Sequence, residues 1–256
     1  ALRPDALLQS LDRASAAAPA TGLLSPGGLA VGVANDCYAA FDGSDFTGRF
    51  SHYHGGTNAL IAFFAGISFL DDSGCPNYDN PEFGPCKRSI RHSSLLVDGA
   101  GDAHTFGLYG FDAWPTVEYG PWLPMPDGAQ GITAELTSNA PEWQGVCWRR
   151  TFRVFPGMIA LDDEIRAAAS HRYTLLFNLA PGVVVEPLAE GGFRLGKDKV
   201  TVRMEWRSDA GIRWRAVPAL NCQTRDFRPA IQLQAESGRS ETLKFHSTFR
   251  LQAATE

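Results

Sequence analysis

Along most of the chain, short apolar runs alternate with polar positions, and Gly, Pro, Asn and Asp punctuate them. Runs rich in β-formers lie at Leu29 to Val33, Cys37 to Phe41, Ala59 to Phe64 and Ile67 to Leu70. They recur at Ser94 to Val97, Gly131 to Leu136, Val146 to Phe155 and Met158 to Ile165. A third series covers Tyr173 to Leu179, Gly182 to Glu186, Gly192 to Leu195, Val200 to Trp206, Ile231 to Ala235 and Lys244 to Leu251. Ala65-Gly66 and Pro156-Gly157 each separate two neighbouring runs and predict tight hairpin turns. The regular spacing predicts an all-β fold, a large antiparallel β-sandwich. No repeat period suggests a propeller. Only Leu2 to Ala18 carries a helical stripe, through Leu7, Leu8 and Leu11, with Pro4-Asp5 to open it and Pro19 to end it. The chain therefore divides into an N-terminal helix and linker over 1–28 and a β-sandwich over 29–256. Gly99 to Ala129 has weak periodicity and many Gly, Pro and aromatic residues, which predicts a long surface excursion.

Composition narrows the function classes. The 256 residues suffice for one large all-β domain with a proper core. A net charge of −5 disfavours sequence-independent nucleic-acid binding, which depends on Lys and Arg against phosphate. Hydrophobic residues at 44% and charged residues at 20% exclude wholesale disorder. No apolar run reaches the roughly 18–20 residues of a membrane span; the longest, Ala59 to Leu70, contains Gly66. The start at Ala1, without a leader pattern, reads as a processed mature form or a piece of a longer protein. The five cysteines form no CxxC pair, against a thiolate zinc site. Cys75 and Cys86 bracket one short loop and would bridge in an oxidising compartment; buried free thiols are the alternative. There is no Gly-x-Ser-x-Gly elbow, no Walker loop and no evident glycosidase carboxylate pair.

The window from Ser51 to Gly99 carries the chemistry. It opens on His52-Tyr53-His54, and two histidines at i and i+2 on a strand share a face. Asp72 follows in Asp72-Ser73-Gly74, and His92 in Arg91-His92-Ser93-Ser94. Two imidazoles and one carboxylate suit zinc. The bland alternative is a pair of surface strand histidines and a turn aspartate. Asp71 is a rival for the carboxylate.

The run Ser51-His52-Tyr53-His54, Gly66, Asp72-Ser73-Gly74, Tyr78, Arg88-Ser89 and His92-Ser93-Ser94-Leu95-Leu96-Val97-Asp98-Gly99 resembles the heparinase II/III-like module of polysaccharide lyases. Trp148 to Glu164, and His171-Arg172-Tyr173 leading into Leu176 to Pro181, extend the resemblance to roughly residues 29 to 252. It implies a β-sandwich that normally follows an α/α-toroid. It implies His52 as the catalytic or substrate-facing histidine, and His54, Asp72 and His92 as zinc ligands. Asp72 is preferred to Asp71 because it opens the D-x-G. Two positions depart from the family pattern: Gly56 replaces an Asp, and Ser93 replaces the Asn after the third His. The toroid, which supplies much of the sugar groove and a catalytic Tyr, has no counterpart unless Leu2 to Ala18 is its remnant.

The implied reaction is β-elimination from a uronic-acid polysaccharide. His52 would neutralise the carboxylate or relay a proton, and Tyr78 is a candidate proton donor, with loop packing as its alternative. Arg88 and Arg91 would pair with uronate carboxylates. Any zinc would be structural, aiming His52. Trp114 and Trp122, with Tyr109, Phe111 and Tyr119, would form a sugar platform or pack the excursion. His104 and His246 read as ordinary hydrogen-bonded histidines, and Glu142, Asp162, Asp163 and Glu164 as solvent-facing carboxylates. The expectation is thus a polysaccharide lyase or its β-sandwich half. It would be periplasmic or secreted and act on an acidic polysaccharide, with a toroid domain or chain as partner. The rival is a non-catalytic carbohydrate-binding or structural sandwich with the same zinc. A cupin-like oxygenase fits the spacing poorly.

Overall fold

Strands separated by two-residue turns dominate the computed structural model, which describes residues 22–24, 29–42, 53–107, 110–124, 129–223 and 226–253. The predicted helix at Leu2 to Ala18 lies outside these residues. The first sheet is an antiparallel meander of β1 (Gly22–Leu24), β2 (Leu29–Ala34), β3 (Cys37–Asp42), β4 (Leu60–Phe64) and β5 (Ile67–Leu70). Ala65 and Gly66 both take positive φ, 49° and 76°, which matches the twist of the strands they join.

The remaining strands are β6 (Leu95–Val97), β7 (His104–Phe106), β8 (Gly110–Ala113), β9 (Pro115–Tyr119), β10 (Leu123–Pro124), β11 (Gln130–Ser138) and β12 (Val146–Phe155). They continue as β13 (Met158–Asn178), β14 (Val184–Pro187), β15 (Phe193–Lys197), β16 (Val200–Ser208), β17 (Ile212–Gln223) and β18 (Asp226–Leu251). Strands β7 and β8 form a small hairpin; the others build the second, 11-stranded sheet. A short helix, α1 (Phe83–Cys86), and a 3-10 turn at Ser89–Arg91 interrupt the chain between the sheets. Among the described residues no helix is long and apolar enough to cross a membrane.

Three expectations change. The excursion over Gly99 to Ala129 contains strands β7 to β10, of which β9 and β10 pair with β11. Strand β17 was not anticipated: it pairs only with β18 and lies at an edge, where Arg213, Arg215 and Pro218 are tolerated. The separate runs Met158 to Ile165 and Tyr173 to Leu179 are one strand, β13, and the last two runs are one strand, β18. Between its halves β13 passes through Arg166 to Arg172, largely exposed, and the pairing with β18 shifts register there. The hydrophobic alternation lapses there, and the register on β18 passes from Arg166 opposite Thr242 directly to His171 opposite Ser240.

The two sheets face each other across one apolar core. Phe41 of the first sheet stacks on Phe152 of the second at 5.9 Å, nearly parallel. On β12 the alternation sends Val146, Trp148, Arg150, Phe152 and Val154 inward. Arg150 therefore enters the interior with its apolar neighbours, and its cross-strand partner on β13 is Asp163. The pair is bidentate, Nε to Oδ1 at 2.7 Å and Nη2 to Oδ2 at 3.2 Å, and Trp148 Nε1 also donates to Oδ1 at 2.8 Å. Asp163 is buried, so the expectation of a solvent-facing carboxylate fails there. Asp162 and Glu164, on the other face, are partly exposed. Arg150 Nη1 also donates to the carbonyls of Asn58 at 2.8 Å and Ser93 at 3.0 Å, which ties both loops to the sheet.

Arg150→Ala would leave Asp163 buried without its cation and is expected to cost about 3–5 kcal/mol in a urea titration. Arg150→Lys keeps the charge but loses the fork, so it is expected to recover only part of that loss. Burial opposes ionisation of Asp162, but the His246 hydrogen bond and the Arg153 guanidinium prevail and hold its carboxyl below the ordinary value. Its stabilisation is present above about pH 4 and lost as pH falls below that. Asp162→Asn is therefore expected to flatten the acid limb of the thermal midpoint plotted against pH.

Candidate metal centre

His54 stands in irregular backbone before β4, not on the expected strand. Backbone bonds hold this loop: Asn58 N–H to Asp42 O at 2.6 Å and Asp42 N–H to Ala59 O at 2.9 Å tie it to β3, and Ala59 N–H to Gly56 O at 2.9 Å closes a turn within it. Gly55 N–H to Lys87 O at 2.7 Å joins it to the segment that leads to His92. A Cβ at Gly55 would stand 2.6 Å from Ser89 Oγ, and one at Gly56 only 3.0 Å from Cγ and Nδ1 of the His92 ring. Close approach of the His92 ring is thus a physical reason for Gly56 where the resemblance leads to Asp.

Asp72 follows β5. The backbone N–H of Asp71 donates to Asn178 O at 3.0 Å, while the Asp71 carboxylate accepts the N–H of Asp72 at 3.0 Å. Asp72 Oδ1 accepts from Gly74 N–H at 2.8 Å, an Asx turn. Gly74 sits at φ 68°, and a Cβ there would lie 2.1 Å from Cys222 O. Cys222 N–H donates to Ser73 O at 2.7 Å, and Asn221 Nδ2 to Asp72 O at 2.5 Å, so the end of β17 clamps the turn. The other carboxylate oxygen, Oδ2, meets His92 Nδ1 at 2.5 Å.

His92 follows the 3-10 turn and its N–H donates to Ser89 O at 3.0 Å. Ser89 is anchored in turn by Asp102, whose Oδ1 accepts its hydroxyl at 2.6 Å. Burial pushes the Asp102 carboxyl up to about 6. His92 is only 2% exposed, while the Asp72 side chain is 41% open. Burial disfavours the imidazolium of His92, but the Asp72 carboxylate outweighs it and raises the pKa. Burial also opposes ionisation of Asp72, and His92 more than offsets that, lowering its pKa.

The His54 and His92 rings lie 5.3 Å apart, and one ligand atom each from His54, Asp72 and His92 falls within 4.8 Å of the others. The Nε2 of buried His92 has no protein partner. An orphaned imidazole nitrogen beside a second imidazole and a carboxylate fits a zinc ion. Asp71 turns to its own backbone and is not in the cluster.

The other predicted site residues are more scattered. His52 and Tyr109 lie outside the described residues. Tyr78 is 52% exposed, its ring edge-on to Phe83 at 4.9 Å. Arg88 is exposed at the start of the 3-10 turn, and Arg91 at its end pairs with Glu82 at 2.9 Å. Trp114 packs on the small cluster of Ala103 and Phe111. Trp122 packs against Phe152, over Gly32, and donates to Gln130 at 3.2 Å. Cys75 and Cys86 are unbridged; burial pushes the Cys86 thiol up to about 11. His104 and His246 pair with Glu142 and Asp162, as ordinary hydrogen-bonded histidines do. Sequence reasoning missed Arg150, Asp102 and Asn221 as supports of the centre. The β12 alternation, which puts Arg150 on the face of Trp148 and Phe152, was the one legible signal.

An all-β sandwich with a His–Asp–His cluster on its connecting loops is the class these features define. The profile of the heparinase II/III-like C-terminal domain family matches residues 17–253, and the chain belongs to that family. The family relates it to polysaccharide lyases. No curated protein sequence matches the chain. Among solved structures it is similar to a heparinase III, with 13% identity and a TM-score of 0.76 over 92% of this chain. It is also similar to the heparan sulfate lyase HepC from Pedobacter heparinus, with 13% identity and a TM-score of 0.73 over 94% of this chain. At such identity these likenesses concern the fold. The chain spans 37% of the length of the first and 38% of the second.

Gly74→Ala combines a left-handed φ with a backbone clash and is expected to cost roughly 1–3 kcal/mol or more in thermal or urea unfolding. Gly66→Ala, at φ 76° with nothing within 4 Å, isolates the backbone effect and is expected to cost less.

Proposed function

We propose that this chain is the β-sandwich part of a polysaccharide lyase that cleaves a uronic-acid polysaccharide by β-elimination. His54, Asp72 and His92 would hold a structural zinc. The convergence of these three side chains carries the reading. The family relation supports it, as does a structural relative described as a heparan sulfate lyase.

The reaction needs three groups. A base takes the proton beside the uronate carboxylate, the C–O bond to the next sugar breaks as a C=C bond forms, and an acid protonates the departing oxygen. The carboxylate must be neutralised so that charge can build on the carbon. Arg88, which is exposed, would offer its guanidinium to such a carboxylate. The exposed phenol of Tyr78 is the candidate acid on the loop after Asp72. His52, two residues before His54, takes the family's substrate-facing role. The zinc, when bound, supplies a cross-link between the His54 loop, the Asp72 turn and the His92 segment. Because the chain spans little more than a third of its structural relatives, the rest of the groove is proposed to come from a helical toroid, in the same protein or a separate chain. A polymeric acidic substrate places the protein in the periplasm or outside the cell.

Elemental mass spectrometry of the purified chain is expected to find about one zinc per chain, lost in His54→Ala and in Asp72→Asn. Absence of zinc from the unmutated chain would remove the main support for this reading. In the toroid-bearing protein, Arg88→Ala is expected to raise KM for a uronate polymer about tenfold, read from unsaturated product. An unchanged KM would exclude that role for Arg88.

A further inference from the structure

A cleft of about 240 Å³ opens beside the Asp72 turn, between the Ile90–Arg91 segment and the end of β17. It shares that turn with the metal centre: Asp72 sends its carboxylate to His92, while Ser73 lines the cleft. The Ser73 hydroxyl is buried and has no protein partner. Such a group costs free energy unless a bound molecule or water meets it.

The rest of the lining is chemically divided. One wall is the apolar stretch from Val217 to Leu220 of β17. The other is a chain of amides. Gln234 Nε2 donates to Gln232 Oε1 at 2.7 Å, and Gln232 Nε2 donates to Asn178 Oδ1 at 2.6 Å and to Ile90 O at 2.7 Å. Asn178 Nδ2 donates to Arg91 O, which closes the chain on the residue that brings the cation. These bonds lock the amides before any ligand arrives, and preorganised groups lose little on binding. Glu82 takes one donor of Arg91. The guanidinium carries several more, enough for a carboxylate.

We infer that this cleft is a subsite for one uronate residue of an acidic saccharide. The sugar's face would lie on the β17 wall, its hydroxyls would meet Ser73 and the amides, and its carboxylate would meet Arg91. The volume is below the roughly 300–1,000 Å³ of drug-sized sites and suits a single ring. The inference rests on the proposed lyase reading only for the class of saccharide; none of the three proposed metal ligands lines the cleft.

The test is NMR of the isotope-labelled full chain, observing the side-chain amide signals of Asn221, Gln232 and Gln234. Glucuronic acid is the probe and glucose the uncharged control. Saturable shifts with glucuronic acid are expected, with glucose binding about tenfold more weakly for want of the Arg91 contact. Ala219→Trp, which fills the cleft from the edge strand, is expected to abolish the shifts while zinc content and thermal midpoint stay as in the unmutated chain. Arg91→Ala is expected to reduce glucuronic acid to the affinity of glucose. No shifts with either sugar, equal affinity for both, or the same shifts in Ala219→Trp would overturn the inference. A chain that holds zinc but shows no sugar shifts defeats this inference alone. One that shows the shifts without zinc defeats the metal reading and leaves the cleft standing.

Discussion

The buried Arg150–Asp163 pair is the constraint on which the candidate centre depends. A guanidinium inside an apolar core is tolerable only with a carboxylate opposite it and its remaining donors satisfied. Here the antiparallel register sets Asp163 directly across from Arg150, and the spare donors reach Asn58 and Ser93. Those carbonyls belong to the loop that carries His54 and to the residue after His92. One ion pair on the most regular part of the sheet thus holds two irregular segments that are far apart in sequence. The Trp148 indole completes the arrangement by donating to Asp163 and lying under the guanidinium at 4.6 Å.

The third segment is held differently. The Asp72 turn leans on the end of β17 through backbone contacts that only glycine at position 74 permits. Asn221 and Cys222 grip it from β17, while Asn178 receives the N–H of Asp71 from the end of β13. The centre is therefore a junction of three loops, two of them tied to Arg150 of β12 and the third to the ends of β13 and β17. A cross-linking ion would stabilise such a junction, because it joins segments far apart in the chain. The same grip shapes the neighbouring cleft, so the candidate metal centre and the proposed sugar subsite are two sides of one turn.

The two longest strands explain how a sheet of 11 strands is organised. Strand β18 pairs with β17 along its first half and with β16 along its second. Strand β13 pairs with β12 early and with β6 late. The register shifts between β13 and β18 lie where their middles are exposed, so the pair can bend without disturbing the core at either end. Strand β6 leads directly from the His92 segment and pairs with Tyr173, Thr174 and Leu175 of β13, which fixes that segment to the large sheet.

Local chemistry in the sequence was enough to determine most of the strands and the hairpin turns, while the grouping of His54, Asp72 and His92 came from the family resemblance. Alternation and turn residues are written within a few residues, whereas His54, Asp72 and His92 are spread over about 40 positions. The fusion of paired runs into β13 and β18 was not legible, because exposed middles carry no apolar alternation. Strand β17 was hidden by its arginines and proline, which an edge tolerates and a central strand does not. The inward direction of Arg150 was readable from β12 alone. Its partner on β13 and the carbonyls it holds depend on register and on loops brought together from distant parts of the chain. Gly56 looked like a departure in one dimension and became a close packing contact once the ring of His92 stood over it. Contacts between residues distant in sequence have no local signature, and only the tertiary structure decided them.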